Sequence, residues 1–232
     1  MANFLIISAS SSMGQATAKT LQDQGHQIFT TARNNDKITA DANLDATDFA
    51  AVDQLFEQAQ QKLGNIDGVV NFSGSLLLTP ADKTSEKQYQ ETIDASVKTA
   101  FATVRSAGKY LKDASIVLIA SAVATTGIPN HEAIAAAKGG VAALSRSAAA
   151  TYANKNLRFN SVAPGLVETN LTERIVQNQS ALDYSLKMHP LHRVGTPQDI
   201  ANAVAFLLDP KNSWITGQIL GVDGGLASAK TI

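Results

Sequence analysis

Six short apolar runs, separated by stretches with helical spacing, constrain this chain more than any other feature of its sequence. The runs are FLIIS at 4–8, HQIFTTA at 26–32, IDGVVNFSG at 66–74, SIVLIAS at 115–121, LRFNSVAPG at 157–165 and QILGVDGG at 218–225. Their length and β-branched content read as buried strands. Between them, MGQATAKTLQDQG predicts a helix that ends at Gly25 in the C′ position. In TDFAAVDQLFEQAQQKLG the residues Val52, Leu55, Phe56, Ala59 and Leu63 form one helical stripe, which Gly64 stops. Ser85 and Gln88 make a capping box that opens one long helix through Leu111. An Ala-rich helix runs from about His131 to Ala153, and Thr196-Pro197 starts another through Leu208. Strands alternating with long helices imply βαβ units, which wind right-handed into one doubly wound parallel sheet with helices on both faces. The segment 169–193 breaks this rhythm. It is polar, carries two histidines and a proline, and fits a mobile flap over the carboxyl edge of the sheet, where doubly wound sheets bind ligands.

At 232 residues and 44% hydrophobic content, the chain can bury a core as a single α/β domain over 1–232. Its net charge of −1 gives no basic field for nucleic acid or an anionic membrane. With no cysteine it has neither disulfides nor thiolate chemistry. The apolar start of MANFLIISASSSMG is too short for a signal peptide and carries no basic segment, so it reads as the first strand. No window reaches the ~18 apolar residues of a membrane span. These features predict a soluble cytoplasmic protein acting on a small molecule.

The first strand-to-helix turn reads ISASSSMGQATA. Turns at this place hold a dinucleotide pyrophosphate with free N–H groups and the helix dipole, and they use glycine for tightness and close approach. Here Gly14 is the only glycine, so the turn alone does not distinguish a nucleotide site from an ordinary Ser-rich loop. The later segments do. NFSG at 71–74, IVLIAS at 116–121, Lys138, RFNSVAPGLVETN at 158–170, RVGTPQDIANAVAFLL at 193–208 and ITGQILGVDGG at 215–225 follow in one order and spacing. Together they resemble the short-chain dehydrogenase/reductase family over nearly the whole chain.

That resemblance implies a Rossmann-type three-layer α/β/α domain that binds NAD(H) or NADP(H) and moves a hydride. The family's glycine turn falls on Ile7, Ser8, Ala9, Ser10, Ser11, Ser12, Met13 and Gly14, with serine at two of its glycine positions, Ser8 and Ser12. If those backbones need positive φ, each Cβ costs about 1–2 kcal/mol. Each hydroxyl can donate to a phosphate oxygen in partial compensation. The resemblance places Asn71, Ser73 and Gly74 at the sheet edge, in cofactor contact or in support of the sheet. It places Pro164, Gly165, Val167 and Thr169 along the nicotinamide, and Asp45 at the adenine. At the end of the second strand, TTARNN has no acid to hold a ribose 2′-hydroxyl, whereas Arg33 can pair with a 2′-phosphate; NADP(H) is therefore preferred over NAD(H). The stretch RNNDKITADANLD is short, as if the helix between the second and third strands were deleted.

The same resemblance assigns a serine that orients the substrate oxygen, a tyrosine that transfers the proton, a lysine that holds the ribose and an asparagine that completes a water relay. Ser121 and Lys138 stand at the serine and lysine positions. Ile134 stands at the tyrosine position and Ser96 at the asparagine position. Isoleucine has no proton to give, and loss of a positioned acid costs about 10²–10⁴ in rate. Three readings remain open. In the first, the donor is displaced. Enoyl reductases of the same superfamily keep their tyrosine seven residues before the lysine, where this chain has His131, and an apolar residue like Ile134 at the usual place. Histidine is a competent acid near neutral pH, and Tyr184 in the flap is a second candidate donor. In the second, the chain is a silent NADP(H) binder, a redox sensor or an oligomer partner. In the third, the scaffold carries a different reaction such as isomerisation. The reductase reading is preferred.

His189 and His192 flank Pro190 with no third metal ligand in register, so a turn-rich surface is expected there and no metal. Trp214 is expected in the core or at an interface. VDGG at 222–225 and the last strand match the family's subunit contact, which implies a homodimer or homotetramer.

Overall fold

The computed structural model of the chain describes residues 1–34 and 36–229. Asn35, part of the stretch TTARNN, and the last three positions of the expected domain lie outside the described residues. The elements run β1 (Asn3–Ile7), α1 (Ser12–Asp23), β2 (Gln27–Ala32), β3 (Ala42–Asn43), α2 (Phe49–Leu63), β4 (Gly68–Asn71), α3 (Glu86–Ile93), α4 (Thr99–Tyr110), β5 (Ser115–Ile119), α5 (Glu132–Thr151), β6 (Arg158–Pro164), α6 (Glu173–Val176), α7 (Gln179–Met188), α8 (Pro197–Leu208) and β7 (Ile219–Val222). The strands form one parallel sheet in the order β3-β2-β1-β4-β5-β6-β7. The expected doubly wound, Rossmann-type α/β/α architecture is therefore present. The sheet has seven strands rather than the six that the apolar runs imply. β3 is two residues long and carries no apolar run, so only its pairing with β2 defines it.

Side-chain alternation along each strand feeds two separate cores. Leu5, Ile7, Val69, Ile116, Leu118 and Phe159 point into the layer of α2, α4 and α5. Phe4, Ile6, Val70, Val117 and Val162 point to the other face, against Leu21 of α1 and Ile200 and Val204 of α8. This two-sided burial explains why the strands read as continuous apolar runs rather than as alternating ones. Each fully buried Leu, Ile or Phe contributes about 1.5–3 kcal/mol, which makes the sheet a rigid platform for its carboxyl edge.

The helix ends follow the sequence. Ser85 and Gln88 complete their capping box, Thr196 and Asp199 complete another, and Gly25 has φ +79° beyond the end of α1. Two expectations need correction. The single helix from 85 to 111 is interrupted by a π-helical segment, Asp94–Lys98, where the Thr99 hydroxyl donates to the carbonyls of Ala95 and Ser96. Such back-bonding competes with the regular ladder and widens a turn. Trp214 is not in the core; it is 99% exposed beyond α8. As the short stretch 33–45 implies, no helix lies between β2 and β3 among the described residues.

Candidate active site

β1 lies between β2 and β4, so the sheet order reverses at its carboxyl end and opens a crevice there. The turn that follows β1 forms one wall. Ser8 has φ +60°, so one of the two expected backbone strains is real; Ser12 is absent from the positive-φ residues and carries no such strain. The Ser8 hydroxyl lies 2.7 Å from that of Ser73 after β4, so the two serines bridge the floor of the crevice. Ser11 is the N-cap of α1. Its Oγ accepts from the Gly14 amide at 3.0 Å and donates to the Ser8 carbonyl at 3.0 Å. A Cβ on Gly14 would lie 2.8 Å from Ala9 Cα, so only glycine lets α1 approach the turn this closely. The amides of Ser12 and Met13 have no partner among the described residues and point out of the helix N-terminus. These orphan donors, together with the helix dipole, fit a pyrophosphate. The flap reaches this wall through the Asn170 amide, which donates to Ser12 Oγ at 3.4 Å. Ser10 contributes its carbonyl to Gln15 Nε2.

The opposite wall carries the chemistry. Ser121, just past β5, caps a short turn by accepting from the Val123 amide at 3.4 Å. Among the described residues its hydroxyl makes one further bond, a long 3.5 Å donation to the Pro164 carbonyl, so it is nearly free to serve a ligand. Lys138 lies on α5, 7% exposed, with Nζ donating to the Ile119 carbonyl at 2.8 Å. Its ammonium lies against Gly74, where a Cβ would come within 3.1 Å of Nζ. Burial lowers its pKa from 10.5 to about 8. One turn earlier stands Ile134, 3% exposed, filling the space before the lysine with hydrocarbon. His131 is the N-cap residue of α5, with Nδ1 2.7 Å from the Pro129 carbonyl. The spacing 131, 134, 138 keeps it on the same helix face as the other two. Tyr184 lies on α7 and is 56% exposed. The Ser96 hydroxyl is buried in the π-helical segment with no hydrogen-bond partner among the described residues.

Asn71 behaves as a sheet support. Its amide nitrogen donates to the Thr99 carbonyl and the Thr103 hydroxyl, and its oxygen accepts from the Ser73 amide. At the β2 end, Asp45 accepts from the amide and hydroxyl of Thr47. These bonds, the amide's first, hold its carboxyl below the usual range despite slight desolvation, and the charges of Arg33 and Lys98 add to the effect. Arg33 is exposed beside them and makes no hydrogen bond among the described residues. Lys98 is a cation that the sequence did not flag, because only the fold brings the π-helical segment to Asp45. The segment after β6 is bridged to the chain before α8. Gly195 donates to the Leu166 carbonyl, Glu168 donates to the Gly195 carbonyl, and Val167 pairs with Gly195. Thr169 closes a turn with Thr172.

The flap carries α6 and α7, and His189 at its end is not on the surface as expected. It is 3% exposed, because the ring folds back under the loop after β6. No group of three or more His, Asp or Glu side chains able to hold a metal occurs among the described residues.

A family model described as enoyl-(acyl carrier protein) reductase matches residues 7–227. The chain belongs to the short-chain dehydrogenase/reductase family. Its relatives include reductases and dehydrogenases that match nearly the whole chain, so the chain is an NAD(P)-dependent oxidoreductase by family. It is 30% identical over 238 residues to the 3-oxoacyl-(acyl-carrier-protein) reductase FabG of Thermotoga maritima, with 96% of each chain covered. Its fold is similar to ligand-free aldohexose dehydrogenase of Thermoplasma acidophilum, at TM-score 0.89 and 28% identity, covering 100% of this chain and 96% of that one. It is also similar to ElxO with NADP bound, at TM-score 0.90 and 25% identity, covering 98% and 99%. A tyrosine-to-phenylalanine variant of ElxO is known with NADPH bound. No helix among the described residues is long and apolar enough to cross a membrane.

Proposed function

We propose that this single-domain short-chain family member is a cytoplasmic NADP(H)-dependent reductase of small carbonyl or enoyl substrates, working with an altered proton-transfer group. The observation that carries the reading is Lys138: a buried ammonium at the crevice, held by the Ile119 carbonyl against Gly74, opposite the orphan amides of α1. A bound nicotinamide supplies the hydride. Ser12, Met13 and the Ser8–Ser11 turn hold the pyrophosphate, Lys138 holds the ribose, and Arg33 pairs with a 2′-phosphate. Pro164, Gly165, Val167 and Thr169 border the nicotinamide, and Asp45 borders the adenine. Ser121 donates its nearly free hydroxyl to the substrate oxygen. Ile134 offers an apolar wall where its relatives have a phenol, and His131, whose Nδ1–H donates to the Pro129 carbonyl, gives the proton from Nε2 of its imidazolium form, which returns to the neutral ring. Reduction of an activated C=C bond fits this site best, because an enolate can also take its proton from water.

The buried, unpartnered Ser96 hydroxyl and the buried Ile134 favour a second reading, a silent NADP(H) binder whose proton path is cut. Fluorescence titration with NADPH and NADH, followed by turnover on ketone and enoyl panels, separates the two. Tighter NADPH binding with enoyl turnover that falls in His131→Ala is expected. NADPH binding without turnover on either panel leaves the silent binder, and no binding of either nucleotide at millimolar concentration removes both.

The exposed Trp214 and the open edge of β7 support assembly as a homodimer or homotetramer. Light scattering tests this: a monomer at micromolar concentration overturns it.

A further inference from the structure

We propose that His189 is a positioning residue: held as the neutral tautomer protonated on Nδ1, it bolts α7 to the Leu166 amide and so fixes the loop on which the nicotinamide rests. The inference builds on the NADP(H) reading above, but its geometry stands apart from it. Nε2 of His189 accepts from the Leu166 amide at 3.1 Å. Nδ1 lies 2.6 Å from the Ser185 carbonyl, one helical turn back on α7, and a carbonyl can only accept. The proton is therefore on Nδ1 and the lone pair on Nε2. Both ring nitrogens are used, in opposite senses, on a ring that is 3% exposed. A ring merely filling space would need neither bond.

The loop is shaped around this ring. A Cβ on Gly165 would lie 2.7 Å from His189 Nε2 and 3.0 Å from Asp223 Cα, so glycine at 165 is required by what packs over it. The far side of the same loop is clamped by backbone bonds between Leu166, Glu168 and Gly195. From the flap side, His189 holds the loop at the Leu166 amide, while the Thr172 hydroxyl donates to the Val167 carbonyl beside it. His189 borders a surface pocket together with three charged groups. Arg193 and Asp199 are paired with each other at 2.8 and 2.9 Å, and the Asp223 carboxylate accepts from the amides of Gly225 and Ala227. All three have their own partners, so none replaces the ring at the Leu166 amide.

NMR of the isotope-labelled imidazole in the wild-type protein tests the tautomer directly. A proton on Nδ1 and none on Nε2 is expected, and a proton on Nε2 overturns the proposal. His189→Phe keeps the volume but leaves a buried donor unmade, and about 10-fold weaker NADPH binding is expected. His189→Gln keeps one acceptor and one donor and restores most of that loss. Equal weakening in both variants, or none in His189→Phe, overturns the proposal. If wild-type protein binds no NADPH, the cofactor reading fails, while the tautomer and the Leu166 amide resonance in the Gln and Phe variants still decide the latch.

Discussion

The two walls of the crevice have met sequence change differently. The turn after β1 has serine at two positions where its family keeps glycine, yet its working parts survive: α1 still presents the unpaired amides of Ser12 and Met13. On the opposite wall Ile134, at the position where the family resemblance places the tyrosine, is buried hydrocarbon with no proton to give, so the proposed reaction needs another donor, His131. The first wall works through the backbone, which every residue carries, provided φ can be reached. The second works through one side-chain atom, and a hydrocarbon cannot imitate it. Backbone-built function tolerates side-chain change at a cost of about 1 kcal/mol, whereas function built on one side-chain atom has to be taken over by another group.

Restoring the acid tests this contrast most strongly. Ile134→Tyr is expected to raise ketone reduction by about 10²–10⁴, measured as NADPH consumption. No gain would mean that more than one group on that wall is missing.

Lys138 comes next. Its pKa is lowered by burial, so the unfolded chain binds the extra proton between about 8 and 10.5, and stability rises with pH across that window. Below it the buried charge costs on the order of 3 kcal/mol. Lys138→Met should abolish the pH slope and raise Tm at neutral pH by a few degrees, while NADPH binding falls. An unchanged slope in calorimetry would show that the ammonium is not desolvated.

The nucleotide wall should respond more weakly. Arg33→Ala is expected to cost about 10-fold in NADPH affinity and leave NADH affinity unchanged, because one charge-assisted contact to the 2′-phosphate is removed. Equal losses for both nucleotides would place Arg33 elsewhere.

The smallest effect is expected at the strained turn. Ser8→Gly relieves positive φ but forfeits the bond to Ser73, so stability should shift by less than about 1 kcal/mol. His192, at φ +50° and exposed, has no side-chain bond to lose among the described residues. His192→Gly should therefore stabilise by about 1 kcal/mol in urea unfolding. A large loss of NADPH binding in Ser8→Gly would show that this wall, too, depends on a side chain.

The sequence by itself determined the layers and the helix caps at Ser85 and Thr196, and its family resemblance proposed Ser121, Ile134 and Lys138 as the chemical residues. Apolar period, cap chemistry and motif order are local, so they can be read in one dimension. Tertiary structure alone decided the rest. β3 exists only by pairing with β2. The π-helical segment, beside the Thr99 hydroxyl and its carbonyl partners, carries no sequence signal of its own. Lys98 meets Asp45, and Ser8 meets Ser73, across long separations in the chain. His189 reads as one of two surface histidines in a polar stretch, because nothing local says that Gly165 leaves room for its ring. Burial and hydrogen-bond partners belong to the packed chain, where distant segments share one low-dielectric space.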